Sequence, residues 1–311
     1  PEWHMWTQFV SQDTNAGLGL DGLRNSHPIE ADVKDPAQIR ELFDAISYSK
    51  GASILRMLEQ FLGQETFRNG LHNYLSAHQY GNARTQDLWS ALEEASGQPV
   101  TQIMDTWVKQ TGYPLLEIEI HREERDLNLT LSQRKFLYDH LLGDEEVDPT
   151  LWQVPVRVLM AGVPESSSVL MGDRHLTFSP TKRTTPGAGG EDWVKVNAGQ
   201  TAFYRVNYPK GEWDRLRLAI KALQLPPTDR LGLQNDAYAL MRAGFLPATV
   251  FLSLAEAYKN EDDATVWGDL SMNLRGLENI IFDEPYLPQY HAYARELFRP
   301  VAQRSGWNPR A

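Results

Sequence analysis

The stretch PVTQIMDTWVKQTGYPLLEIEI, Pro99–Ile120, changes its period in the middle. Up to Gly112 it reads as a helix, and Gly112 with Pro114 forms a strong stop, since glycine closes helices and proline cannot continue one. From Leu115 onward apolar and polar residues alternate, the period of a half-buried strand. A domain boundary is expected at this point.

Working back from it, residues from about 36 to 112 read as helices. SKGASILRMLEQFLG, Ser49–Gly63, places Ala52, Leu55, Leu58, Phe61 and Leu62 on one face and ends on Gly63. TFRNGLHNYLSAHQYG repeats the pattern with Phe67, Leu71, Tyr74 and Leu75, and TQDLWSALEEASG opens on Thr85 as N-cap, with Asp87 in its first turn, and closes on Gly97. Working forward, LLEIEI, DLNLTLSQ, WQVPVRVLM, SVLMGDRHLTFS, DWVKVNA and AFYRVNYP are short alternating runs without helices between them, which predicts an antiparallel β-sandwich. TTPGAGGED is a loop within it; no strand-to-helix context surrounds its glycines, so they imply no phosphate or cofactor. From Trp213 the helical period returns, with Asp229 as a cap, Gly244 as a stop and Pro247 as the next start, a succession resembling the beginning of an α-solenoid.

The expected fold is therefore mixed α and β and multidomain: helices to residue 112, a sandwich over 113–209 and an α-helical array over 210–311. A chain of 311 residues has length for two or three domains. Its net charge of −11 argues against an electrostatic nucleic-acid binder. With no cysteine there is no disulfide framework, zinc knuckle or thiol nucleophile, and a reducing compartment such as the cytoplasm is permitted. No apolar run reaches the roughly 20 residues of a membrane span. PEWHMWTQF carries no signal-peptide pattern and no initiator Met, which reads as a fragment or a processed chain.

Candidate chemistry is sparse. None of the 8 histidines is followed by Glu, so the His-Glu-x-x-His zinc motif is absent, and His72 and His78 lie on different helix faces. There is no Gly-x-Ser-x-Gly elbow. Glu93 with Glu94, and Glu145 with Glu146, are adjacent in sequence and read as solvated surface. NSHPIE, Asn25–Glu30, reads as a structural loop, and Trp3, Trp6 and Phe9 as core. On the residues alone Tyr48 is a tyrosine at a helix entrance, with its ring buried and its hydroxyl on a backbone carbonyl.

Taken together, NSHPIE, FDAISYSKGASILRML, TWVKQTGYP, WVKVNAGQTAFYRVNY and DRLGLQNDAYALMRAG resemble, in order and at comparable spacing, the zinc aminopeptidases of the aminopeptidase N type, above all the puromycin-sensitive branch. That resemblance implies the helical C-terminal part of a thermolysin-like catalytic domain, then a small β-sandwich domain, then the start of a C-terminal helical domain. It implies a parent metallo-aminopeptidase that removes N-terminal residues from oligopeptides in the cytoplasm, with zinc as its cofactor. Tyr48 matches the residue that stabilises the tetrahedral intermediate, and Phe43 a position lining the pocket for the substrate's N-terminal side chain. The zinc motif and the Gly-x-Met-Glu-Asn exopeptidase motif have no match here; none of the 7 methionines precedes Glu. No metal ligand is expected in this chain, its partner would be the missing N-terminal half, and the chain alone is expected to be inactive. The alternative is a non-catalytic scaffold or peptide-binding module. No membrane or nucleic-acid partner is implied.

Overall fold

In a computed structural model, residues 3–31, 33, 35–40, 42–122, 127–142, 148–180 and 192–306 are described. The chain opens with α1 (Met5–Phe9), a π-helical turn (Val10–Thr14) and α2 (Asn15–Asp21), running on as one helical segment. A loop and a 3-10 turn (Pro36–Arg40) lead to a second π-helical turn (Ile46–Lys50) that continues into α3 (Gly51–Leu62). Then follow α4 (Gln64–Ala77), α5 (Thr85–Ser96) and α6 (Val100–Val108).

Helices α3, α4 and α5 stand where their periods placed them, while α6 stops at Val108, short of the expected Gly112, and two details differ. The buried positions of α3 are Ser53, Ile54, Arg56, Met57 and Leu58, while Leu55 is 39% exposed. Tertiary contacts select that face: Ser53 Oγ meets Thr14 Oγ1 at 3.1 Å, and the Arg56 guanidinium donates to the carbonyls of Gly199 and Gln200. In α5 the N-cap position is Arg84 rather than Thr85, and the Asp87 carboxylate accepts the Arg84 amide at 2.7 Å. A carboxylate in the first turn satisfies an otherwise free amide, and that bond moves the start by one residue.

Two sheets follow. One has the order β5-β2-β1-β7, built from β1 (Pro114–Arg122), β2 (Leu127–Lys135), β5 (His175–Phe178) and β7 (Arg205–Asn207). The other has the order β4-β3-β6, from β3 (Val154–Met160), β4 (Ser167–Met171) and β6 (Val194–Val196). The expected alternation is clear in β2, where Leu127, Leu129, Leu131 and Gln133 are buried and the residues between them are half-buried. The expectation of purely antiparallel pairing does not hold, because β7 runs parallel to β1, Leu115 facing Arg205. A long connection separates these strands, and only such a crossover lets neighbours point the same way. Of the TTPGAGGED loop, all but Asp192 lies outside the described residues, as do Glu145 and Glu146.

The remaining helices are α7 (Lys210–Lys221), α8 (Pro227–Arg242), α9 (Ala248–Ala255), α10 (Ala264–Ile280) and α11 (Leu287–Ser305). Every residue from Asp229 to Ala237 of α8 is buried, so over that stretch the helix has no solvent face. Its polar side chains are correspondingly paired, since a buried charge without a partner is costly. Arg230 makes a two-pronged contact with Glu261 (2.7 and 2.5 Å), and Asp236 pairs with Arg205 at 3.3 Å. Asp229 is not the cap expected of it. Pro226 holds that position, and Asp229 Oδ1 instead accepts the Gly199 amide at 2.8 Å and faces the buried Lys195 ammonium at 3.5 Å.

Buried side chains from all three stretches form one contiguous apolar cluster. Tyr113 marks the junction: its ring stacks on Phe136 and meets Phe203 edge-on, while its hydroxyl donates to the Leu18 carbonyl and accepts from Arg205.

The candidate active-site turn

The Tyr48 segment is held by a short set of hydrogen bonds. Asp44 lies just ahead of the π-helical turn, and its Oδ1 accepts the amides of Ile46 (2.8 Å) and Ser47 (3.2 Å). Ile46, Ser49 and Lys50 point inward and are buried. Ser49 Oγ donates to Asp13 and its carbonyl accepts from Ser53. The fully buried Lys50 ammonium lies 2.8 Å from the fully buried Asp21 carboxylate and donates to the carbonyls of Gln110 (3.3 Å) and Gly112 (3.2 Å). Burial pushes the Lys50 ammonium below its ordinary value, and the attraction of Asp21 offsets this only in part.

With those residues turned in, Tyr48 is turned out. Its ring is 61% exposed, and so is that of Phe43, at 66%; the two rings lie 6.0 Å apart, tilted by 41°. The bland expectation of a buried ring on a backbone carbonyl is thereby overturned: among the described residues no hydrogen bond holds the Tyr48 hydroxyl. Residues four apart share one face of a helical turn and the residue midway lies opposite, so Ile46 and Lys50 are buried together while Tyr48 projects.

The NSHPIE loop adjoins this turn. His27 Nε2 is 3.0 Å from Asp44 Oδ2, and Nδ1 is 2.9 Å from the Pro28 carbonyl. Partial burial pushes the Asp44 carboxyl up, but the hydrogen bonds from His27, Ser47 and Ile46 and the charge of His27 outweigh it and hold the carboxyl below its ordinary value. Sequence reasoning gave Asp44, Lys50 and Asp21 no role. An Asp ahead of a helical turn is a capping signal that could have marked Asp44. Nothing local marks Asp21 and Lys50, which are distant in sequence.

Trp3 and Trp6, expected in the core, are exposed; the Arg56 guanidinium covers the Trp6 ring at 4.3 Å, a cation–π contact that replaces burial. Among the described residues no group of three or more His, Asp or Glu is gathered that could hold a metal ion, so those residues do not fit a zinc site. No helix among them is long and apolar enough to cross a membrane. A concavity of about 320 Å³ lies on the β5-β2-β1-β7 sheet, lined by residues including Glu117, Glu119, Thr130, Ser132 and His175, and it contains neither Tyr48 nor Phe43.

Comparison with known proteins bears on this turn directly. Residues 1–107, which include it, match the peptidase family M1 domain, and residues 193–311 match the ERAP1-like C-terminal domain. Over these two stretches the chain is similar to M1 peptidases. Aminopeptidase M1-A of Oryza sativa subsp. japonica is 38% identical over the whole chain, which spans 34% of that relative. Puromycin-sensitive aminopeptidase of Caenorhabditis elegans is 37% identical over 89% of the chain and 29% of the relative. Alanine/arginine aminopeptidase of Saccharomyces cerevisiae is 35% identical over 99% of the chain and 34% of the relative. The chain thus spans about a third of the length of these M1 relatives.

Proposed function

We propose that this chain supplies the oxyanion-stabilising phenol and part of the substrate pocket of a zinc metallo-aminopeptidase acting on N-terminal residues of oligopeptides in the cytoplasm, and that the zinc ligands belong to residues outside it. The observation that carries this reading is the exposed Tyr48–Phe43 pair on a turn anchored from below, in the segment matched to the M1 domain. As a scissile carbonyl becomes tetrahedral, negative charge grows on its oxygen, and a phenol O–H aimed there donates a hydrogen bond stronger in the transition state than in the substrate. Phe43, beside it, offers an apolar wall to the substrate's first side chain. In the same reading, residues 1–112 are the helical C-terminal part of a thermolysin-like catalytic domain, 113–209 a β-sandwich domain and 210–311 the start of a solenoid-like helical domain.

Tyr48→Phe in the complete enzyme tests the assignment. Loss of one oxyanion donor costs on the order of 10²-fold to 10³-fold in turnover; a loss below about threefold with folding intact would sink the role and favour a scaffold. The isolated chain is expected to be inactive, and chelator-sensitive turnover of a leucine fluorogenic substrate by it would overturn that expectation.

A further inference from the structure

Asp44 divides its two oxygens between two tasks. Oδ1 accepts the Ile46 and Ser47 amides that begin the π-helical turn, and Oδ2 faces His27 Nε2 at 3.0 Å. On the other side of the ring, Nδ1 faces the Pro28 carbonyl at 2.9 Å. A carbonyl and a carboxylate oxygen are both acceptors, so the ring is held between an acceptor on either side. The ring is then fixed at both nitrogens.

The loop carrying His27 is itself anchored. Its Glu30 amide donates to the Val108 carbonyl at 2.8 Å, and Ser26 Oγ donates at 2.5 Å to Asp21, the partner of Lys50. Ser26 and His27 are neighbours, so one loop grips the turn at both ends, through Asp44 before it and through Asp21 and Lys50 at its last residue. Tyr48 lies between the two grips.

We propose that His27 and Asp44 are positioning residues for Tyr48, clamping the start of the π-helical turn to the Ser26–Glu30 loop so that the phenol keeps one orientation. This rests on the role proposed above for Tyr48. The pair is about one-quarter exposed, so it can be altered without opening the core.

The test uses the complete enzyme. Asp44→Ala removes both the cap and the partner of His27, and is expected to lower kcat by about 10-fold to 100-fold, the range for a catalytic group misplaced by about an ångström, with KM changed by less than about threefold. Asp44→Asn keeps an acceptor for the two amides and can donate its own N–H to a neutral His27, so it should restore kcat to within about threefold of wild type. In a Tyr48→Phe background, Asp44→Ala should cost less than about threefold more, because a residue acting only through the phenol has nothing left to position. Full kcat in Asp44→Ala, or an undiminished loss in the Tyr48→Phe background, overturns the clamp while leaving the role of Tyr48 in place. Wild-type turnover in Tyr48→Phe alone overturns that role and the clamp with it.

Discussion

Lys50→Met is the perturbation whose cost can be worked most directly from the structure. The ammonium is fully buried, 2.8 Å from Asp21 Oδ2, and donates to two carbonyls, of Gln110 and Gly112, in the connection between α6 and β1. Asp21 keeps only the Gly112 amide (2.9 Å) and Ser26 Oγ (2.5 Å), both on Oδ1, when the lysine is gone. A buried pair gains little net energy from its own attraction, because each ion was taken from water, but removing one member leaves the other uncompensated, at a cost of about 3–5 kcal/mol. Asp21→Asn is expected to cost less, about 1–3 kcal/mol, because the amide still accepts from Gly112 and the lysine can shed its proton. The double variant should then be more stable than the sum of the two losses predicts, since no unpaired charge remains. Urea unfolding of the four proteins, followed by tryptophan fluorescence, gives the cycle. A Lys50→Met loss below about 1 kcal/mol, or strict additivity, would refute the claim that these charges are buried against each other.

Two further outcomes follow from the packing. Burial pushes Asp269 up from 3.8 to about 6, with hydrogen bonds from Asn235, Ser11, Gln234 and Asn15 offsetting only part of that rise. Because the folded value is raised, the stability linked to this group is present in full below the unfolded value and is lost as pH rises through about 6, a span corresponding to about 3 kcal/mol. Asp269→Asn should therefore melt higher than the parent at pH 8 and lose that advantage near pH 4; an advantage that grows on acidification would contradict the assignment. Gly70→Ala would put a methyl 2.7 Å from Leu92 Cδ2, 3.1 Å from the Leu92 Cα and 3.3 Å from the Ala91 carbonyl. Two of these are backbone atoms that cannot rotate aside, so α4 must lift from α5 at a cost of about 1–3 kcal/mol, and an unchanged melting temperature would show that the helices are not in that contact.

The features legible in the sequence are those that depend on near neighbours. Gly97 and Gly244 do stand at helix ends, at positive φ (65° and 80°), whereas α6 stops at Val108, ahead of Gly112; the change of period at Pro114 coincides with the first residue of β1. Tyr48 was singled out only through the family resemblance, while local pattern read its ring as buried; the structure turns that ring out beside Phe43. Which face of α3 is buried, that β7 runs parallel to β1, that Asp229 serves Lys195 rather than its own helix, and that Asp21 reaches Lys50 were all decided by tertiary structure. The physical reason is the same in each case. Periodicity, caps and stops are set by the energy of a few consecutive residues, whereas a buried charge or a strand takes whichever partner the folded chain brings to it, and that partner can lie anywhere in the sequence.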